Sequence, residues 1–203
     1  MGRVTISRVA EVLDRLEEFD APILVATSQV FFGEELVPRV GLIAVSERPG
    51  WLWEGFMAEE AARRLRDRLR EKGVESWLGG WDAMFATGWE YAWTVDEPRF
   101  RLIQRAVGTL LEIVDGAILL RGDRIGPIEA VESYVSADWV ERGVRLVVKG
   151  RAPFIVASVD DQMPQIDPTY DWIALDCEAG WARALGRTLA AELGVPHRVS
   201  WDD

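Results

Sequence analysis

A chain of 203 residues, 49% hydrophobic and 28% charged, can bury roughly 70% of the surface it exposes when unfolded, so it needs no disulfide or metal to hold a core. Its one cysteine, Cys177, and one histidine, His197, exclude an intramolecular disulfide, a cysteine-based zinc site and a histidine-based metal site. A formal charge of -11 argues against general affinity for nucleic acid or anionic membrane, since both need a positive footprint.

Along the chain, residues 7–19 read as an opening helix, with Ser7 as N-cap and Val9, Val12, Leu13 and Leu16 on one side. Residues 1–20 are charged and amphipathic without the apolar core of a signal peptide, and no apolar run, 23–26 and 117–120 included, is long enough to cross a bilayer. The expectation is a soluble, cytoplasmic protein that does not engage membranes. Segments 23–32 and 40–45 are rich in β-branched and aromatic residues and read as strands, with Trp51 and Trp53 continuing a third. Residues 57–72 form an amphipathic helix closed by Gly73.

From 88 to 95, Trp89, Tyr91, Trp93 and Val95 alternate with Glu90, Ala92 and Thr94, the period-2 pattern of a half-buried strand. Asp96 and Pro98 then offer a cap and a first-turn proline. Phe100, Ile103, Val107, Leu110, Leu111 and Val114 follow at helical spacing, which predicts a helix over 98–114. A rival reading makes Asp115-Gly116 a hairpin turn and ends that helix near Gly108. Strands are expected at 117–121, 144–149, 154–159 and 172–175, with 127–138 open to either state. A last helix spans 179–193, with Ala182, Leu185, Leu189 and Leu193 inward and Gly194 and Pro196 stopping it.

These elements predict an α+β chain with a mixed or antiparallel sheet and about four helices, forming one compact unit, 1–203. A faint echo links Gly73-Val74 before Trp77 with Gly194-Val195 before Trp201, each after a helix. It suggests a subdivision into two similar α+β halves, 1–96 and 97–203. Asparagine is absent, and only Lys72 and Lys149 among 23 basic residues are not arginine, a composition that fits a thermophilic source or a GC-rich one.

Candidate chemistry is sparse. Arg63, Arg64, Arg66, Arg68, Arg70 and Lys72 flank an apolar stripe of Ala61, Ala62, Leu65 and Leu69. They stand four residues from carboxylates, as in Glu59 to Arg63, Glu60 to Arg64 and Arg63 to Asp67. That is the pattern of a solvated helix laced by its own ion pairs, and it predicts no nucleic-acid partner. The acid concentrates at the other end, where residues 158–203 sum to -6. Asp160, Asp161, Asp167, Asp171, Asp176 and Glu178 would suffice for a Mg²⁺-type site, but their spacing lacks the alternating ligands and central glycine of a calcium loop. Pro164 and Pro168 mark the same stretch as a solvated loop.

Cys177 and His197 would make a thiol–imidazole pair only if the fold brought them together, with Asp171 or Asp176 as orienter. No Gly-x-Ser-x-Gly elbow and no glycine-rich phosphate loop occurs, and no cofactor is implied. Ten tryptophans remain. Trp77, Trp81 and Phe85, with Trp89 and Trp93, fall four residues apart, and the first three are candidate ligand-binding residues, core packing being the plain alternative.

The reading that follows is a non-catalytic, acidic binding protein engaging a protein partner, in the manner of an immunity protein or inhibitor. The alternative is a metal-assisted enzyme using the acidic stretch 160–178 beside an aromatic pocket. The sequence sets no oligomeric state.

Overall fold

The computed structural model describes residues 21–32, 35–82, 89–95, 99–136, 141–160 and 168–202. In chain order these form β1 (Ile23–Phe32), β2 (Glu35–Ala44), β3 (Gly50–Phe56), α1 (Glu59–Glu71), β4 (Ser76–Trp81), β5 (Tyr91–Val95), β6 (Phe100–Gln104) and β7 (Gly108–Val114). Then follow β8 (Ala117–Leu120), β9 (Asp123–Ile125), β10 (Ile128–Ser136), β11 (Glu141–Val148), β12 (Phe154–Asp160), α2 (Pro168–Leu193) and β13 (His197–Asp202).

The expected α+β chain with about four helices is overturned. The fold is dominated by two sheets, one of nine strands ordered β3-β2-β1-β4-β5-β6-β7-β8-β9 and one of four ordered β12-β11-β10-β13, with two helices among the described residues. The expected helix 7–19 lies outside them. The expected helix 98–114 is instead the antiparallel pair β6 and β7, with Phe100 opposite Ile113. The physical reason is burial on both faces. Phe100, Leu102, Leu111 and Ile113 join one core cluster while Ile103 joins another, so apolar residues fall at successive positions and imitate helical spacing.

Asp115-Gly116 is indeed a two-residue hairpin turn, both residues having positive φ (51° and 72°), and it joins β7 to β8. Residues 172–175, expected as a strand, lie inside α2, because a four-residue apolar run reads alike in a strand and in a buried helix. Within the open segment 127–138, Ile128–Ser136 forms the strand β10.

Two stretches share one connectivity. In β1-β2-β3-α1-β4 and again in β10-β11-β12-α2-β13, three antiparallel strands lead to a helix. The helix returns the chain to a fourth strand that pairs parallel with the first on its free side. Both second-to-third pairings carry a register shift, at Leu42/Ile43 and Val144/Arg145. Both helices also close alike: Val74 N donates to Leu69 O and Gly73 N to Arg70 O, while Val195 N donates to Ala190 O and Gly194 N to Ala191 O. Gly73 and Gly194 take positive φ, 80° and 63°, where L side chains are strained. The repeated connectivity spans 23–81 and 128–202, with β5–β9 extending the first sheet between them. The anticipated division at 96/97 lies outside the described residues.

α1 packs Ala62, Leu65 and Leu69 on Ile23, Val25, Val40, Leu42 and Leu78, one face of the large sheet. Its carboxylates Glu59 and Glu60 stand in the first turn and its Arg68 and Arg70 in the last, the order that the helix dipole favours. The opposite face buries Leu24, Ala26, Ile43, Trp77, Trp81, Trp89 and Ile103. α2 sits between the two sheets: Trp181, Ala182, Leu185 and Leu189 join a cluster with Leu102 and Leu111 of the large sheet and Val131, Val144 and Leu146 of the small one, and α2 also touches β1 and β4.

Candidate functional site

Of the three aromatic candidates, Trp77 and Trp81 lie on the face of the large sheet turned away from α1, and both are buried. Phe85 lies outside the described residues. Trp81 meets Trp51 at 4.5 Å between ring centroids with the planes tilted by 37°, and Trp51 in turn stacks with Trp89 at 6.5 Å. The Trp51 ring lies flat on Gly41, where an added Cβ would stand 2.2 Å from its Cη2. Two guanidinium groups flank the cluster. Arg101 lies 4.2 Å above the Trp77 ring while its Nε holds Glu112 at 3.0 Å, and Arg39 lies 5.8 Å from the Trp81 ring while paired to Glu54 at 2.6 Å. Trp81 Nε1 and Arg39 Nε are buried without a hydrogen-bond partner. A ligand reaching Trp77 or Trp81 has to displace these neighbours, so the cluster as it stands is packed core with two unsatisfied donors.

Asp82 follows Trp81 directly and is almost fully buried. Its Oδ1 accepts from the backbone N–H of Glu90 and of Tyr91, each at 2.9 Å, and its own N–H donates to Tyr91 O. The carboxyl thus ties together the two ends of the connection from β4 to β5. Burial pushes its pKa well above the ordinary carboxylate value, against the lowering effect of those N–H donors. Nothing in the sequence signals this role beyond an acid placed next to the buried strand Ser76–Trp81.

On the small sheet, Ser133 donates to the Ala182 carbonyl of α2 at 2.8 Å and meets His197 Nε2 at 2.9 Å. The hydroxyl thus bridges the imidazole and the Ala182 carbonyl. Burial, then the nearby Arg187, lowers the His197 pKa. The sequence pairs His197 with Cys177 only on condition that the fold brings them together. The partner of His197 in the fold is Ser133, and the Cys177 side chain lies outside the described ones.

The other face of this sheet carries a polar network that sequence reasoning missed. Tyr134 donates to Glu141 at 2.6 Å, Arg145 lies 5.1 Å above the Tyr134 ring, and Arg145 Nε holds Glu132 at 2.9 Å with Ser200 beside it. Burial and the Glu141 carboxylate push the Tyr134 hydroxyl above its ordinary range. Alternating Glu132, Tyr134 and Ser136 along β10 is the available signal, but Ile128, Val131 and Val135 of the same segment also fit helical spacing.

Four of the six acids of the alternative metal reading can be placed on elements. Asp160 ends β12 opposite Glu141, Asp161 and Asp167 lie outside the described residues, and Asp171, Asp176 and Glu178 occupy positions along α2. Among the described side chains, which do not include those of the six, no three His, Cys, Asp or Glu converge as metal ligands. The basic stretch on α1 is paired as its spacing predicts in two places, Arg63 with Glu59 and Arg64 with Glu60, whereas Asp67 is held by its neighbour Arg66. No described helix is long and apolar enough to cross a membrane. Set against protein-family models, curated proteins and solved structures, the chain matches none.

Proposed function

We propose that this chain is a non-catalytic, acidic binding protein that engages a basic protein partner. The observation that supports the reading is how the positive charge is spent. Arg39, Arg63, Arg64, Arg66, Arg101 and Arg145 each hold a carboxylate of the chain itself, and Arg99 and Arg198 stand 3.7 Å from Glu112 and Glu132. These eight of the 23 basic residues stand beside carboxylates of the chain itself, the net charge is -11, and the stretch 160–178 holds six acids and no basic residue. Such a field steers a cationic partner into encounter and selects against acidic ones. The inhibitor-like or immunity-like role is the form of this reading in which the partner is itself an active protein.

The test is recovery of a basic protein from extracts of the source cells, followed by titration of that purified protein with the wild type and with an Asp160→Asn, Asp161→Asn, Asp167→Asn variant. A 1:1 complex that weakens as salt rises, and at least tenfold in the variant, supports the proposal. Binding indifferent to both overturns it. So does a rise in melting temperature with Mg²⁺ or Mn²⁺ in the wild type that the variant lacks, which is the signature of the metal-assisted alternative.

A further inference from the structure

The repeated connectivity leaves one position filled in the first sheet and vacant in the second. In the large sheet the outer edge of β4 is covered by β5, which pairs with it antiparallel, Leu78 opposite Val95 and Trp81 opposite Ala92. β13 is the topological counterpart of β4, lying parallel to the first strand of its unit, and among the described residues nothing pairs with its outer edge.

The three other sheet edges are blunted. β3 and β12 each pair with their neighbour through a register shift, and β9 is three residues long. Bulges and short strands are the usual protections of a sheet edge. β13 has neither. It runs six residues in unbroken register with β10, contains no proline, and presents Val199 at 48% exposure, an unusual place for an apolar β-branched side chain.

The direction of its main-chain groups follows from one hydrogen bond. Pro196 O accepts from Val131 N of β10 at 3.0 Å, so along the strand the main-chain groups of 196, 198, 200 and 202 point toward β10. Those of His197, Val199 and residue 201 therefore point to the open edge.

We propose that β13 is a dimerisation edge at which a second copy of this chain adds its own β13 antiparallel, joining the two small sheets into one of eight strands. The strand is complementary to itself. Basic residue 198 and acidic residue 202 stand two positions either side of Ser200. A two-fold axis through Ser200 sets 198 of each copy opposite 202 of the other and makes Val199 and residue 201 of the second copy a hydrogen-bonded pair. Such an isologous contact closes at two subunits. The proposal is independent of the binding function above.

The experiment is the molar mass of the full chain by light scattering and sedimentation between roughly 5 and 100 µM, the range in which edge contacts of moderate affinity populate. The wild type is expected to be a dimer at the upper end. Val199→Pro removes an N–H that points away from β10, and Val199→Lys keeps every N–H while placing a charge on the edge. Both are expected to be monomeric with melting temperatures close to the wild type, and Ile155→Lys on β12 is expected to remain a dimer. A wild type that is monomeric throughout, or a dimer that survives both Val199 variants, overturns the proposal. The lysine variant keeps the test decisive if the proline variant fails to fold.

Discussion

Ser133 and His197 lie 64 residues apart in the chain and 2.9 Å apart in space, with the Ser133 hydroxyl bridging the imidazole to the Ala182 carbonyl of α2. One hydroxyl therefore joins β10, β13 and the helix that returns the chain between them. Ser133→Ala removes this bridge, leaving the Ala182 carbonyl and the half-buried imidazole without it, and is expected to cost about 1–3 kcal/mol in urea unfolding.

The same site makes stability depend on pH. Because the His197 pKa is lowered in the fold, the unfolded chain takes up a proton first as pH falls. Its contribution is complete above the unfolded value near 6.5 and is lost as pH drops from there to the lower folded value. Wild type compared with His197→Gln across pH 7.5 to 5 should show this: the wild type loses more stability over that window than the variant, and parallel curves would contradict the assignment.

Two glycines of α2 should respond to alanine in opposite directions. At Gly180 an added Cβ meets nothing within 4 Å, so Gly180→Ala is expected to stabilise by about 1 kcal/mol through helix propensity alone. At Gly186 it would stand 2.3 Å from Ser133 Oγ and 2.8 Å from His197 Nε2, atoms that cannot yield without breaking the bridge. Gly186→Ala is expected to destabilise by about 1–3 kcal/mol despite its better propensity. Thermal melts of the two variants check both signs.

Asp82 should oppose the usual acid behaviour of carboxylates. Its folded pKa is raised by burial, so between that value and the ordinary 3.8 the folded protein holds the proton that the unfolded chain has lost. Its contribution becomes more favourable as pH falls through the folded value and levels off below 3.8. The stability difference between wild type and Asp82→Ala is expected to widen in favour of the wild type between pH 7 and pH 4. Loss of the N–H contacts with Glu90 and Tyr91 should itself cost about 1–3 kcal/mol. A difference that narrows on acidification would mean the carboxyl is held charged by those donors.

Where an element has one apolar face or marked ends, the sequence alone determined its state. α1 falls within the predicted 57–72 because single-sided burial leaves a clean period, α2 ends where predicted because a glycine with positive φ marks the stop, and β1, buried on both faces, has the predicted bounds because its β-branched and aromatic run is bounded by turn residues. The Asp115-Gly116 turn was legible for the same local reason, since few residue pairs adopt positive φ in succession. The tertiary structure decided the rest. β6 is buried on both faces, and in β7 a register shift sets Leu110 and Leu111 in the same core cluster, so their spacing carries no period that separates strand from helix until the sheet is assembled. The Trp172-Ile173-Ala174-Leu175 run became helix inside α2 because flanking chain, and not its own composition, sets its state. The contacts that define the sites, Asp82 with Tyr91 and Ser133 with His197, join residues that no local periodicity connects. The sequence supplied the carboxyl, the hydroxyl and the imidazole. Which of them meet was fixed by long-range strand pairing, whose register depends on burial across the whole sheet.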